Sequence, residues 1–371
     1  MAEALALRDV AGYVLKTGLV PAQAVVSGDL VIRDLSSRHR TMSVERQNGP
    51  GFILKQGVDL QGEIAIRREA AVYARLIDLG GGAARYLPPF VRFDEERALL
   101  VLGRVVAVED LRSYHLRQGR FPVGAARALG TALGQIHRHG MRPTHQAPEQ
   151  PELAPTTLSL HRPGLELFRE ASAATFELIK IVQASPALAD GLDELRACWR
   201  RLTVIHVDVK WDNCLLSRPE GRGSRLAIRI IDWETASLGD PCWDIGSALS
   251  QYLSTWVFSI PVTGQAPPED FPALARYPLE DMQPALRACW HAYARAMRLA
   301  GPIETAWLSR TVRYAAARLV QSALEAAQMS LQLTSSLVLH LQLAENMLRR
   351  PHEAAVHLLG LAQQSRVTTA P

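Results

Sequence analysis

The sequence of 371 residues has few cysteines and no long apolar run. Its four cysteines, Cys198, Cys214, Cys242 and Cys289, lie far apart, so no CxxC spacing supports a zinc site or a redox dithiol. We therefore expect reduced thiols with a structural role. No stretch of about 18 apolar residues is present, which predicts a protein without a membrane span.

The amino-terminal segment also lacks the pattern of a secretion signal. Glu3 and Asp9 stand among its apolar residues, which favours an amphipathic helix over a basic and then apolar leader. Apolar residues make up 48% of the chain and charged residues 21%, the balance of a globular protein. Together these features predict a cytoplasmic protein that does not associate with membranes.

Lysine is scarce. The chain has 41 basic residues, of which only four are lysines: Lys16, Lys55, Lys180 and Lys210. The net charge is +4, but no Lys/Arg-rich run concentrates it, so a nucleic-acid partner is not expected. Two of the four lysines, Lys55 and Lys210, stand beside motifs described below.

Hydrophobic periodicity divides the chain into two parts. The first hundred residues alternate in the manner of strands, with one helical pattern over 63–80. Later segments have helical periodicity, including 125–140, 165–184 and 187–201, and helices dominate beyond residue 247. This order predicts an α+β protein with a small strand-rich part and a larger, mostly helical part. The predicted strands are 30–34, 41–46, 52–56, 90–94 and 97–103.

Several nucleotide and metal motifs are missing. The sequence contains neither a GxxxxGK[ST] phosphate loop nor a GxGxxG dinucleotide motif. His352 and His357 are five residues apart, a spacing that puts them on different faces of a helix and excludes an HExxH zinc pair.

The segment from His206 to Asn213, HVDVKWDN, carries residue types suited to phosphoryl transfer. A carboxylate at Asp208 could orient an acceptor hydroxyl and take its proton, and Lys210 could neutralise charge on the moving phosphoryl group. Asn213 could offer a neutral oxygen to Mg²⁺, and Asp232, after the apolar run LAIRII, could supply a carboxylate to the same ion. A hairpin joining CLLS to LAIRIID would bring Asn213 and Asp232 to one rim.

These motifs resemble those of the aminoglycoside phosphotransferase/choline kinase superfamily. HVDVKWDN is similar to its His-x-Asp-x-x-x-x-Asn loop, IIDWE to its metal-binding aspartate segment, and LGDPCWDIGSAL to its Gly-Asp-Pro-x-x-Asp stretch. The resemblance implies a two-lobed, protein-kinase-like fold that uses ATP and Mg²⁺. It places the N-lobe, a five-stranded sheet plus one helix, at residues 1–102 and the C-lobe at 103–371.

The resemblance also assigns residues to the nucleotide. Lys55 in the strand FILKQ is expected to hold the phosphates, with Glu69 of the next helix as its partner. The segment LSSRHR, which has no glycine, offers Ser36 and Ser37 to phosphate. Leu102 and Arg104 are expected to lie at the adenine hinge.

Three further residues are assigned supporting roles. His206 is expected to brace the loop that carries Asp208, since Asp208 already occupies the position of the base. Asp244 is expected to anchor that loop by hydrogen bonds, and Glu234 to lie behind the metal ligands. We therefore expect Asp208, Asn213 and Asp232 to converge around magnesium, opposite Lys55.

The sequence says less about the phosphate acceptor than about the nucleotide and metal sites. Only seven residues separate Asp232 from Asp240, too few for a protein-kinase activation segment. The segment 235–371 has ten acidic and ten basic residues, which does not favour a polycationic aminoglycoside. Lys210 stands two positions after Asp208, as in Ser/Thr protein kinases, and this likeness favours an aliphatic hydroxyl as the acceptor. We expect that hydroxyl on a small metabolite; the alternative is Ser/Thr of a peptide natural-product precursor that a partner lyase would process. An inactive nucleotide-binding pseudokinase is the alternative of another class. The choice of ATP over GTP and the oligomeric state stay open.

Overall fold

The computed structural model describes residues 4–36, 39–78, 80, 82–106, 108–141, 154–169, 171–217, 226–261 and 267–361. The chain forms two compact units. The strand-rich unit comprises Met1–Asp110 and Asn213–Ala236, and the helical unit comprises Leu111–Asp212 and Ser237–Pro371. The predicted α+β class is confirmed, because a sheet of five antiparallel strands lies in one unit and most helices lie in the other. The lobe boundary after residue 102 stays a prediction.

The described residues contain ten strands and thirteen α-helices. The strands are β1 (Leu30–Asp34), β2 (Arg40–Arg46), β3 (Phe52–Gln56), β4 (Phe90–Asp94), β5 (Leu99–Gly103), β6 (Val108–Asp110), β7 (Thr203–Ile205), β8 (Cys214–Ser217), β9 (Ala227–Ile230) and β10 (Ser237–Gly239). The helices are α1 (Val10–Lys16), α2 (Ala22–Val26), α3 (Leu60–Asp78), α4 (Leu111–Gln118), α5 (Val123–Gly140), α6 (Leu165–Arg169), α7 (Ala173–Ala184), α8 (Pro186–Ala197), α9 (Pro241–Phe258), α10 (Leu279–Met297), α11 (Gly301–Gln328), α12 (Ser335–Arg349) and α13 (Pro351–His357).

The main sheet of the strand-rich unit is antiparallel, in the order β1-β2-β3-β5-β4. Alternation along β3 buries Phe52, Leu54 and Gln56, while Lys55 points to the opposite face of the sheet. Leu54 joins a core that includes Val10 and Val14 of α1. Because successive side chains face opposite sides, the strand that completes this core also directs Lys55 toward Glu69 of α3.

A second sheet in the same unit has the order β6-β8-β9. Strands β8 and β9 form the predicted hairpin, with Cys214 opposite Ile230 and Ser217 opposite Ala227. The predicted turn at 219–224 lies outside the described residues. Strand β6 pairs with β8 and was not predicted, since its three residues are too few to show a period.

The helical unit is built around close contacts between long helices. A Cβ atom added to Gly130 of α5 would lie 2.0 Å from the carbonyl oxygen of Cys289 in α10. One added to Gly134 would lie 2.7 Å from the Cβ of Ala296. Glycine at these two positions therefore lets α5 and α10 approach each other closely. Strands β7 and β10 pair antiparallel in this unit.

The predicted helix over 165–184 is wrong in one respect. The structure has two helices, α6 and α7, because Ser172 caps a new start: its side chain accepts a hydrogen bond from the amide of Thr175. Among the described residues, no helix combines the length and the apolar character that crossing a bilayer requires. All four cysteines are free, and only Cys198 is exposed.

Candidate functional site

Lys55 lies between two carboxylates in the strand-rich unit. Its Nζ atom is 3.0 Å from both carboxylate oxygens of Glu69 and 2.6 Å from Oδ1 of Asp232. The side chain of Glu69 is fully buried, and that of Lys55 is 14% exposed. Burial alone would lower the pKa of Lys55, but the charges of Glu69 and Asp232 raise it. Lys55 is therefore a fixed ammonium ion, as its predicted role requires, although that role stays a prediction.

The β8–β9 hairpin brings Asn213 and Asp232 to the same end of its ladder. The amide of Ile231 donates to the carbonyl oxygen of Asn213 at 2.9 Å, just beyond the pair of Cys214 and Ile230. Asp232 has a left-handed backbone (φ 68°, ψ 59°), a conformation that a residue other than glycine adopts at some cost. Its side chain remains 38% exposed. A carboxylate held this way is accessible for a ligand.

The connection between β1 and β2 is fastened at two points. The hydroxyl of Ser36 accepts a hydrogen bond from the amide of Thr41 at 3.1 Å, so this serine also has a role in the turn. Nε2 of His39 lies 2.8 Å from Oε2 of Glu234, and both side chains are mostly buried. Ser37 lies outside the described residues. Glu234 thus contacts the connection that the resemblance assigns to phosphate.

Contacts with the main sheet hold the two residues expected at the adenine hinge in place. Leu102 is buried in β5 opposite Ile53 of β3. The amide of Arg104 donates to the carbonyl oxygen of Gly51 at 2.8 Å, and its guanidinium lies 3.2 Å from the carboxylate of Glu45. An adenine-binding role for Leu102 and Arg104 stays a prediction.

In the helical unit, Asp208 lies between two cations. Its Oδ2 atom is 3.1 Å from Nζ of Lys210, and its Oδ1 atom is 3.4 Å from Nη2 of Arg318. Burial would raise the pKa of Asp208, but Arg318 and Lys210, with a contribution from His206, bring it below the ordinary aspartate value. Asp208 is therefore ionised at neutral pH. Nζ of Lys210 also lies 3.4 Å from Oε2 of Glu325.

The backbone before Asp208 is held by Asp244. The fully buried carboxylate of Asp244 accepts hydrogen bonds from the amides of His206 at 2.6 Å and Val207 at 3.0 Å. The indole of Trp243 donates to the carbonyl oxygen of Val207 at 2.7 Å. Val207 has a φ of 73°, an unusual value for a β-branched residue. These contacts fix the strained conformation that precedes Asp208.

The residues present fit a magnesium ion better than a zinc ion. Among the described residues, no group of three His, Cys, Asp or Glu side chains forms a metal cluster. Mg²⁺ commonly binds one or two carboxylates and completes its shell with water and substrate phosphates. The accessible carboxylate of Asp232 and the amide of Asn213 at the same hairpin end suit that pattern.

The helical unit also contains a cavity of about 820 Å³, within the range of small-molecule sites. Its wall is formed by α4, α9, α11 and the segments 259–261 and 274–277, and Lys210 contributes to it. Two aromatic side chains, Phe258 and Tyr277, also contribute to this wall.

The family model for the phosphotransferase enzyme family (APH) matches residues 32–285. This match covers more than half of the chain and includes every motif described above. The chain belongs to this family. The predicted enzyme class, a phosphotransferase with an alcohol group as acceptor, is confirmed at that level. No curated protein matches the sequence.

Solved structures of several kinases are similar to the phosphotransferase at low sequence identity. A choline kinase from Cryptosporidium parvum Iowa II is 12% identical, with a TM-score of 0.55, and the match covers 95% of this chain and 98% of that one. A choline/ethanolamine kinase family protein from Mesorhizobium loti is 16% identical (TM-score 0.46; 96% and 97% covered). The aminoglycoside phosphotransferase APH(2'')-Ib is 15% identical (TM-score 0.45; 89% and 99% covered). Of these three, only the first has a TM-score above 0.5, and it supports the predicted kinase-like fold; at these identities none indicates a substrate.

Sequence reasoning missed three residues of this phosphotransferase. Arg318 contacts Asp208, Glu325 contacts Lys210, and His39 contacts Glu234. The sequence does contain one indication of Arg318, because this charged residue interrupts the apolar run YAAARLV. In the structure Arg318 is only 1% exposed. A charged residue in a buried stripe requires a partner. The sequence does not identify that partner, which lies 110 residues away.

Proposed function

We propose that this phosphotransferase transfers the γ-phosphoryl group of ATP, with Mg²⁺, to an aliphatic hydroxyl of a small metabolite. One observation supports this proposal above the others. The ionised carboxylate of Asp208 lies 3.1 Å from Lys210, and Lys210 forms part of the wall of the 820 Å³ cavity. An acceptor in that cavity would have both a proton acceptor and a cation close to its hydroxyl.

The step requires little covalent chemistry from the protein. The acceptor oxygen forms a bond to the γ-phosphorus while the bond from that phosphorus to the β–γ bridging oxygen breaks, and ADP leaves. The hydroxyl proton passes to a carboxylate oxygen of Asp208 and then to solvent. Lys210 offsets the negative charge of the phosphoryl group, and Glu325 holds Lys210 at 3.4 Å.

The nucleotide side of the proposal rests on the strand-rich unit. Lys55 is fixed by Glu69 and would offer its ammonium to the phosphates of ATP. Asp232 and Asn213 are the residues that would hold Mg²⁺, which when bound would neutralise charge on the β- and γ-phosphates. Glu234 would lie behind them through its contact with His39.

Incubation with ATP, MgCl₂ and a panel of aliphatic alcohols tests the proposal. We expect ADP to form with an alcohol and the alcohol to gain the mass of one phosphoryl group. A matched sample with EDTA in place of MgCl₂ should form neither product. Phosphorylation of peptides alone would overturn the metabolite assignment. ATP binding without ADP formation in any sample would support the inactive pseudokinase instead.

A further inference from the structure

The wall of the 820 Å³ cavity carries more positive than negative charge. Arg112, Lys210 and Arg276 contribute three cations to it, and Glu325 contributes the one carboxylate among the described wall residues. The rest of the wall combines polar groups with apolar side chains, among them Leu116, Ile260 and Leu274, and with the rings of Phe258 and Tyr277. Because Arg112 and Lys210 each pair with a carboxylate, the charge that would attract an anionic acceptor to this wall is mainly that of Arg276.

The three cations are not equally engaged. Lys210 is shared between Asp208 and Glu325. Arg112 donates through Nε to both carboxylate oxygens of Asp212 at 2.9 Å, which leaves its Nη donors for another acceptor. Among the side chains that the structure describes, no carboxylate forms an ion pair with Arg276. Its guanidinium carbon instead lies 5.2 Å from the centre of the Tyr277 ring.

The backbone around Arg276 is fastened to the end of α9. The amide of Arg276 donates to the carbonyl oxygen of Ser259 at 3.1 Å, and the amide of Tyr277 donates to the hydroxyl of Ser259 at 3.2 Å. The Tyr277 ring, itself part of the cavity wall, then limits where the guanidinium can go. Arg276 is thus an exposed cation whose backbone is fixed at the cavity.

We propose that the alcohol phosphorylated by this enzyme carries an anionic group, a carboxylate or a phosphate, which Arg276 binds with help from Arg112. The hydroxyl then faces Asp208 and Lys210. This inference rests on the proposed function and specifies the class of acceptor that the same cavity would bind. The anion could belong to a small hydroxy acid or to an acidic residue beside a serine in a peptide, since both present the same chemistry to a guanidinium.

The first experiment measures binding without ATP. The probes are 4-hydroxybutyrate, its neutral primary amide and the cation 4-amino-1-butanol, each titrated into the full chain and followed by ligand-observed NMR. Charge-assisted hydrogen bonds to an arginine predict that the carboxylate binds about 10- to 100-fold more tightly than the amide. Arg276→Gln should bring that ratio close to 1, and Arg276→Lys should restore part of it. Arg127→Gln is the matched control, because Arg127 is an exposed arginine of α5 away from the cavity wall. It should keep the preference.

The second experiment measures kcat/KM with ATP for the same probes and for a pair of serine peptides that differ only in glutamate or glutamine beside the serine. Faster turnover of 4-hydroxybutyrate than of the acidic peptide supports a small anionic acceptor, and the reverse order supports an acidic peptide. Equal or tighter binding of the amide or the amine, or a carboxylate preference that survives in Arg276→Gln, overturns the inference. If the carboxylate preference depends on Arg276 but no alcohol is phosphorylated, the proposed function fails and the anion site remains.

Discussion

Replacing Asp244 by asparagine tests how the backbone before Asp208 is held. The carboxylate accepts hydrogen bonds from two backbone amides, at 2.6 Å and 3.0 Å, and lies 3.1 Å from Nε2 of His137. Asparagine keeps the shape but turns one acceptor oxygen into an NH₂ donor. At least one buried N–H group, on His206, Val207 or His137, then faces another donor.

The size of the effect follows from these contacts. An unsatisfied buried donor costs about 1–3 kcal/mol, and the lost bond was to a charged acceptor, so we expect a loss of about 2–4 kcal/mol of unfolding free energy. The φ of 73° at Val207 stores a further strain on the order of 1–3 kcal/mol. Release of that strain would move Asp208, and we therefore expect kcat to fall at least about 10-fold, equivalent to about 1.4 kcal/mol of activation free energy.

Urea denaturation followed by tryptophan fluorescence, together with steady-state kinetics, would measure both effects. Asp240→Asn is a matched control, because Asp240 is equally buried but caps α9 and pairs with Arg310 instead of contacting the 206–208 backbone. It should lose stability and keep most of its kcat. In a Val207→Gly background, where glycine has already removed the strain, Asp244→Asn should displace Asp208 less and lower kcat by a smaller factor than it does in the wild type. An Asp244→Asn protein with unchanged stability and kcat would refute this account of the loop.

Three further outcomes are expected. Arg318→Met removes a positive charge that lowers the pKa of Asp208, so we expect that pKa to rise. In a pH–rate profile, the acidic decline of kcat/KM should therefore occur at a higher pH than in the wild type. Lys55→Met leaves a buried glutamate without its partner, so calorimetry should show weaker ATP binding and denaturation a loss of about 3–5 kcal/mol of stability. Because burial raises the pKa of Cys289 to about 12 while Cys198 is exposed, a maleimide should label Cys198 in the native protein and Cys289 only after unfolding, as peptide mass mapping would reveal.

Local patterns were enough to predict the elements that carry the site. Strands β1, β3 and β4 begin and end where the sequence pattern predicted, and β1 and β3 place alternate side chains on the same core. The hairpin that holds Asn213 and Asp232 followed from two short apolar runs joined by a polar segment. In each case the information lies within a few residues.

Partners that are distant in sequence could not be predicted in the same way. Arg276 and Glu325 become part of the cavity wall through the packing of the helical unit, and no sequence pattern around either residue indicates a functional role. Arg318 could be flagged as a buried charge, but its contact with Asp208 depends on where α11 packs. The break before α7 was missed because the helical period continues across Ser172, and only its capping hydrogen bond shows the new start.

The most direct test of the account is Asp208→Asn, with ATP binding and phosphoryl transfer measured on the same preparation. Asparagine cannot accept the hydroxyl proton, so the account predicts that kcat falls by about 10²- to 10⁴-fold while the Kd for ATP stays within about 3-fold of the wild-type value. Asp193→Asn, the same change in an exposed ion pair of α8, should leave both values unchanged. Wild-type turnover in Asp208→Asn would contradict the account, because it would show that another group accepts the proton.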